Sequence, residues 1–182
     1  MKNKVFWHQI VLFVVFGILT LIRWVSGSSM IGVELIWWWL GGVLGFLFVF
    51  GDRLVYALVN KPEEVLSVQI RELFMKGHLV KGLALAFSER EKQLHLVMRS
   101  ALFLVIWGVL AVFTATSVGN SFPRGFVLGL GTHLIFDITW DYFGGSRDIE
   151  LWFWQVKKIT KSEMTWFFRG SVLFYLLITW FL

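Results

Sequence analysis

Within GFVLGLGTHLIFDITWDYFGG, residues 125–145, His133, Asp137 and Asp141 follow one another at four-residue steps. Four residues nearly complete a helical turn, so the imidazole and both carboxylates line one face. An imidazole and a carboxylate one turn apart can ligate one hard or borderline divalent cation, with a third ligand from another helix. Asp52 and His95 are the candidates for that ligand, beside His133 and Asp137 as the metal pair. A cation held this way activates water for attack on a phosphate or acyl group, which makes Asp137, His133 and Asp141 the candidate catalytic residues. The same acids fit a second chemistry. Asp52, Asp137 and Asp141 can be neutralised by Arg53, Arg99 and Arg169 as buried ion pairs that lock helix register without any reaction. A proton or ion pathway is a third use of such residues. It is the poorest fit, because the outer half of the spans carries only Glu34 and Arg23, which can pair there.

These residues sit in a chain that reads as an integral membrane protein. Of its 182 residues 57% are hydrophobic and only 16% charged, with 11 Trp and 19 Phe; a soluble domain carries roughly a quarter charged residues. The net charge of +5 fits basic cytoplasmic loops and not nucleic-acid binding. With no cysteine, disulfides, thiolate metal sites and cysteine nucleophiles are excluded. No Ser–His–Asp order with a strained nucleophile turn is visible, and the glycines of GLG lie inside an apolar run, not after a strand as a phosphate-cradling loop requires.

Five segments are long enough to span: Val5–Val25, Ile31–Gly51, Ser100–Val118, Gly125–Phe143 and Thr165–Leu182. The first is expected to stay uncleaved, since it exceeds a signal core and ends in Arg23 without a small-x-small site. Two links, SGSSM and GNSFPR, are short and turn-like. The Asp52–Arg99 segment holds Arg53, Lys61, Arg71, Lys76, Lys81, Arg90, Lys92 and Arg99, and the last loop holds Arg147, Lys157, Lys158 and Lys161. The positive-inside rule places the N-terminus and both long segments in the cytoplasm and the C-terminus outside, in a cell inner membrane. Trp24, Trp140, Trp152, Trp154, Trp166 and Trp180 fall near span ends, as interface aromatics do.

Residues 60–99 are expected to form a cytoplasmic helical loop. Asn60 serves as a cap, Pro62, Glu63 and Glu64 as a first turn, and Leu66, Ile70, Leu73 and Phe74 as an apolar face. Lys76–Gly77 reads as a C-cap, Leu79–Phe87 as a second short helix, and Ser88 with Glu91 as a capping box opening a helix that runs into the third span. Such a hairpin can lie on the membrane surface or dock a cytoplasmic protein partner. His78 reads as a solvated surface residue, and LWFWQVKK, residues 151–158, as an interfacial amphipathic segment.

Depth and helical phase connect the polar residues. Asp52 closes the inner end of the second span, His95 and Arg99 open the third, Arg169 lies about one turn into the fifth, and His8 sits at the inner end of the first. Gly41, Gly45 and Asp52 share a face, as do Gly125, Gly129, His133, Asp137 and Asp141. Both helices carry Gly-x-x-x-Gly, which predicts that the second and fourth spans pack through these glycines and open around carboxylates toward the inner side.

The segment GFVLGLGTHLIFD, residues 125–137, resembles the glycine-rich span ending in His-x-x-x-Asp of the membrane-bound metal-dependent hydrolases of bacterial inner membranes. That resemblance implies a metal site using His133 and Asp137 and a hydrolytic activity. Of the family's Asp-x-Asp-His cluster only Asp52 has a comparable place, and HLVMRS puts Arg99 where the family has histidine. The whole chain is similar to small bacterial integral membrane proteins.

The expectation is therefore a single all-α membrane domain, residues 1–182, with five transmembrane helices and a cytoplasmic helical hairpin between helices two and three. Its polar cluster near the cytoplasmic face works as ion pairs, as a divalent-metal hydrolase site or as an ion pathway. Its partners are the lipid bilayer and a cytoplasmic protein or a second copy of the chain.

Overall fold

A computed structural model of the chain describes residues 2–26, 32–89, 92–117, 119–144, 149–156 and 159–182. Every regular element among the described residues is helical. α1 is Lys2–Val25 and α2 is Val33–Phe48. The chain then continues without a break through a 3₁₀ turn at Val49–Gly51, α3 at Asp52–Val55 and a π turn at Tyr56–Asn60. α4 (Val65–Met75) and α5 (Leu79–Ser88) follow, then α6 (Ala101–Ser117), α7 (Ser121–Gly144) and α8 (Lys161–Phe181).

α7 is the axis of the fold, with α1, α2, α6 and α8 all packed against it. Its buried residues point in every direction, from Leu128 and Gly129 to Leu134, Asp137, Ile138 and Asp141. The outward faces of the four surrounding helices are aliphatic and aromatic. Phe13, Leu21, Ile36, Val105, Val109, Leu176 and Trp180 are all exposed, a distribution that suits lipid contact and not water.

The glycines set the closest packing in the molecule. A Cβ on Gly41 would fall on the Phe122 carbonyl oxygen, one on Gly45 on that of Phe126, one on Gly125 on that of Trp38 and one on Gly129 on that of Gly42. α2 and α7 thus meet backbone to backbone through the paired Gly-x-x-x-Gly stretches, as the sequence predicts. Side chains fasten the other contacts: Trp107 Nε1 of α6 donates to the Val127 carbonyl of α7 at 2.9 Å, and Thr132 of α7 meets Tyr175 of α8 hydroxyl to hydroxyl at 2.6 Å.

Among the described residues, three helical stretches are long and apolar enough to cross a membrane: Trp7–Val25, Val33–Asn60 and Lys161–Phe181. Of the two other expected spans, α6 is apolar but 17 residues long. α7 has 24 residues, but its glycines and polar side chains lower its hydropathy.

Two helices, α4 and α5, lie in the segment between α3 and α6. Leu66, Ile70 and Phe74 pack on Leu85, Ala86 and Ala57, and Gly82 makes room for the Phe74 ring. Gly77, at φ 75°, ends α4 in a Schellman arrangement: His78 N donates to Leu73 O at 2.8 Å and Gly77 N to Phe74 O at 3.0 Å.

Three local expectations are corrected. α4 starts at Val65, not at Pro62, because the preceding helix runs on to Asn60 and Glu64 is extended at the cap. No helix runs from Ser88 into the third span: residues 93–100 are non-helical, and Ser100 is the true cap, its Oγ accepting from Phe103 N at 3.1 Å. Because that segment is not helical, the four-residue step from His95 to Arg99 confers no shared face. Arg90, Glu91, Arg147, Lys157 and Lys158, and the link residues 27–30, lie outside the described residues.

Candidate cation centre

The C-terminal half of α7 carries the site. His133, Asp137 and Asp141 are buried and stand one turn apart, as their spacing requires. His133 Nδ1 bonds the Phe46 carbonyl of α2 at 2.7 Å. A carbonyl only accepts, so Nδ1 carries the proton and Nε2 is turned toward Asp137 Oδ2, 3.5 Å away. On the other side of the carboxylate, His8 Nε2 of α1 lies 3.0 Å from Asp137 Oδ1. The ligand atoms of His8, His133 and Asp137 lie within 4.8 Å of one another, and all three residues are buried.

Aromatic rings close around the two imidazoles. The His8 and His133 ring centroids are 4.9 Å apart. Phe46 and Phe50 lie 4.5 and 4.7 Å from His133, and Phe136 lies 4.4 Å from His8. Such walls lower the local dielectric and strengthen every charge interaction inside.

Arg99 links this trio to Asp141. Its Nε lies 3.5 Å from Asp137 Oδ2, and its Nη2 donates to Asp141 Oδ2. Trp152 Nε1 donates to the same Asp141 oxygen at 3.0 Å. One guanidinium thus bridges two carboxylates that lie one turn apart on α7.

The residues singled out in the sequence divide in two. His133, Asp137, Asp141 and Arg99 converge. Asp52, His95, Arg53 and Arg169 have other surroundings. The Asp52 carboxylate accepts from the backbone N–H of Val97 at 3.2 Å and of Met98 at 2.7 Å, anchoring the non-helical segment ahead of α6. The His95 ring packs edge-on to Trp154, centroids 5.2 Å apart. Arg53 donates to Gln93 at 3.4 Å and lies over the Phe87 ring. Arg169 is exposed on α8 beside Trp166. At the opposite end of the bundle, Glu34 accepts from Ser121 and Arg23 covers the Trp38 ring at 4.0 Å.

Two members of the site are absent from the sequence-derived list of ligands and pairs. His8 is a lone histidine in an apolar helix, and its place near the start of α1 does not indicate which helix it faces. Trp152 reads as an interface aromatic, although a buried indole N–H needs an acceptor. No protein family model, curated protein or solved structure matches this chain.

Proposed function

We propose that the chain is a five-span inner-membrane protein whose working centre is a buried cation-binding site near the cytoplasmic face. The observation that carries this is the convergence of a ring nitrogen of His8, a ring nitrogen of His133 and an Asp137 oxygen within 4.8 Å of one another. Two nitrogens and one oxygen suit zinc or a related first-row divalent ion. The Phe46 carbonyl supports the same reading: a ligating histidine commonly donates its other ring N–H to a backbone carbonyl, which fixes the tautomer and aims the free nitrogen. With the ion bound, its charge would join α1 to α7, and Arg99 would balance Asp141 alongside. The hairpin, with Leu79 and Val80 exposed on α5, would rest on the inner lipid interface or hold a cytoplasmic partner.

The test is elemental analysis of protein purified in mild detergent, beside its His133→Ala and Asp137→Asn variants. About one equivalent of transition metal, lost in both variants while their helical content persists, supports the reading. Folded wild-type protein that carries no metal and gains no thermal stability from added zinc sinks it, and then the buried polar contacts alone tie the helices together.

Arg99 favours a second reading, a membrane-bound metal-dependent hydrolase. A guanidinium next to a cation site can hold a phosphate or carboxylate of a substrate. That reading predicts hydrolysis of a phosphoester or acyl substrate by the metal-loaded protein, abolished by Asp137→Asn.

A further inference from the structure

On the outward surface a long cleft of about 710 Å³ runs between α6 and α8. Leu104, Gly108 and Val112 line one wall, and Trp166, Gly170 and Phe174 the other. We propose that this cleft seats an acyl chain of an anionic phospholipid whose headgroup phosphate is held by Arg169.

The cleft exists because small residues stand where the two helices would otherwise touch. A Cβ built on Gly170 meets nothing within 4 Å, and one on Gly108 meets only the Phe174 ring at 3.5 Å. Its volume is within the range of roughly 300–1,000 Å³ typical of sites that receive small ligands. Val105, Val109 and Leu173 beside it are exposed, so the cleft opens where lipid tails lie if α8 crosses the membrane, as its length and apolarity allow.

Arg169 supplies the second, independent observation. It is exposed on α8, next to the cleft-lining Gly170. It lies eight residues from the start of the helix at Lys161, or ~12 Å along the axis. Its guanidinium stands 6.0 Å from the centroid of the Trp166 ring, and no carboxylate of the described residues is paired with it. A permanent charge in an apolar stretch reaches for the nearest anion, which at this depth is a lipid phosphate, and guanidinium matches phosphate with two parallel hydrogen bonds.

A lipid is favoured over a second copy of the chain. A protein helix laid in the cleft would cover Arg169 and desolvate it, whereas a lipid provides the apolar tail and the counter-charge in one molecule. This inference needs no cation at the buried centre, so the two stand or fall separately.

The experiment is native mass spectrometry of the full chain in mild detergent. The protein is incubated with phosphatidylglycerol or phosphatidylcholine carrying the same acyl chains. Phosphatidylglycerol is expected to be retained about five-fold more strongly, the ratio one well-placed cation near the membrane surface provides. Arg169→Gln should reduce it to the phosphatidylcholine level without lowering the melting temperature. Gly170→Leu, which fills open space, should weaken both lipids. Equal retention of the two lipids by the wild-type protein, or undiminished preference in Arg169→Gln, overturns the proposal. So does a dimer that Gly170→Leu abolishes, since that would give the cleft to a second copy.

Discussion

His8 on α1 and Asp137 on α7 meet at 3.0 Å although 129 positions separate them in the chain. The contact joins an outer helix to the axis of the bundle through charged or hydrogen-bonding groups in a region walled by phenylalanine. Cutting Asp137 to alanine removes the carboxylate that His8, His133 and Arg99 all face. Breaking one partner out of a buried charge cluster costs about 3–5 kcal/mol, because the remaining groups stay buried without compensation. Asp137→Ala should therefore lower the thermal midpoint in detergent far more than His8→Phe, which keeps the aromatic packing. A double-mutant cycle between the two positions should give a coupling of about 0.5–3 kcal/mol; a coupling of zero would mean that α1 is held by its apolar face alone.

Gly45 and Gly129 let α2 and α7 touch backbone to backbone, and a Cβ at either would land on a carbonyl oxygen of the facing helix. Neither side can yield without moving a whole helix. Gly45→Ala and Gly129→Ala should each destabilise the protein by about 1–3 kcal/mol, the usual range for overpacking. Gly170→Ala, with nothing within 4 Å of the new Cβ, should be neutral or slightly stabilising, since alanine is the better helix former. Denaturation in a graded detergent mixture measures all three. Equal effects at the three positions would mean that helix propensity, not close approach, governs them.

This helix pair was also the part most legible in the sequence. Two Gly-x-x-x-Gly stretches in apolar helices can point to each other because helical phase alone determines which face they occupy. The same rule aligned His133, Asp137 and Asp141 correctly, since all three stand on one uninterrupted helix. It fails for His95 and Arg99, whose four-residue step suggests a shared helical face although the chain there is not helical. The cause lies far away in sequence: the Asp52 carboxylate binds the N–H groups of Val97 and Met98, and no local pattern reveals that partner. His8 was missed as a ligand for a related reason. Its depth could be counted, but the rotation of α1 about its own axis follows from packing against α7.

Asp52 yields a separate prediction. Its two oxygens satisfy two backbone donors ahead of α6, at a bend where no helical ladder supplies acceptors. Asp52→Ala leaves both N–H groups without that acceptor and should cost about 1–3 kcal/mol. Hydrogen–deuterium exchange should rise at residues 93–100 and at the first turn of α6, while α4 and α5 keep their protection. Asp52→Asn retains one carbonyl acceptor and should recover part of the loss. Unchanged exchange in residues 93–100 of Asp52→Ala would show that Ser100 and the packing of Leu96 fix the segment without help.

The number of crossings can be decided by where the link between α6 and α7 lies. Crossing by α1, α2 and α8 alone would place Leu182 opposite the N-terminus, and so would five crossings, because both numbers are odd. A reporter after Leu182 therefore tests only parity: outside is expected, and a cytoplasmic signal contradicts both arrangements. A reporter inserted at Gly119–Asn120, both exposed, separates them. With five spans it lies outside. With three it stays on the side of α4 and α5, which a second insertion at Gly77 marks. Five is expected for a physical reason. α7 hides Asp137 and Asp141 against neighbouring helices, so its polar groups need not face lipid, and an axial helix can cross with an apolarity that an exposed one could not tolerate.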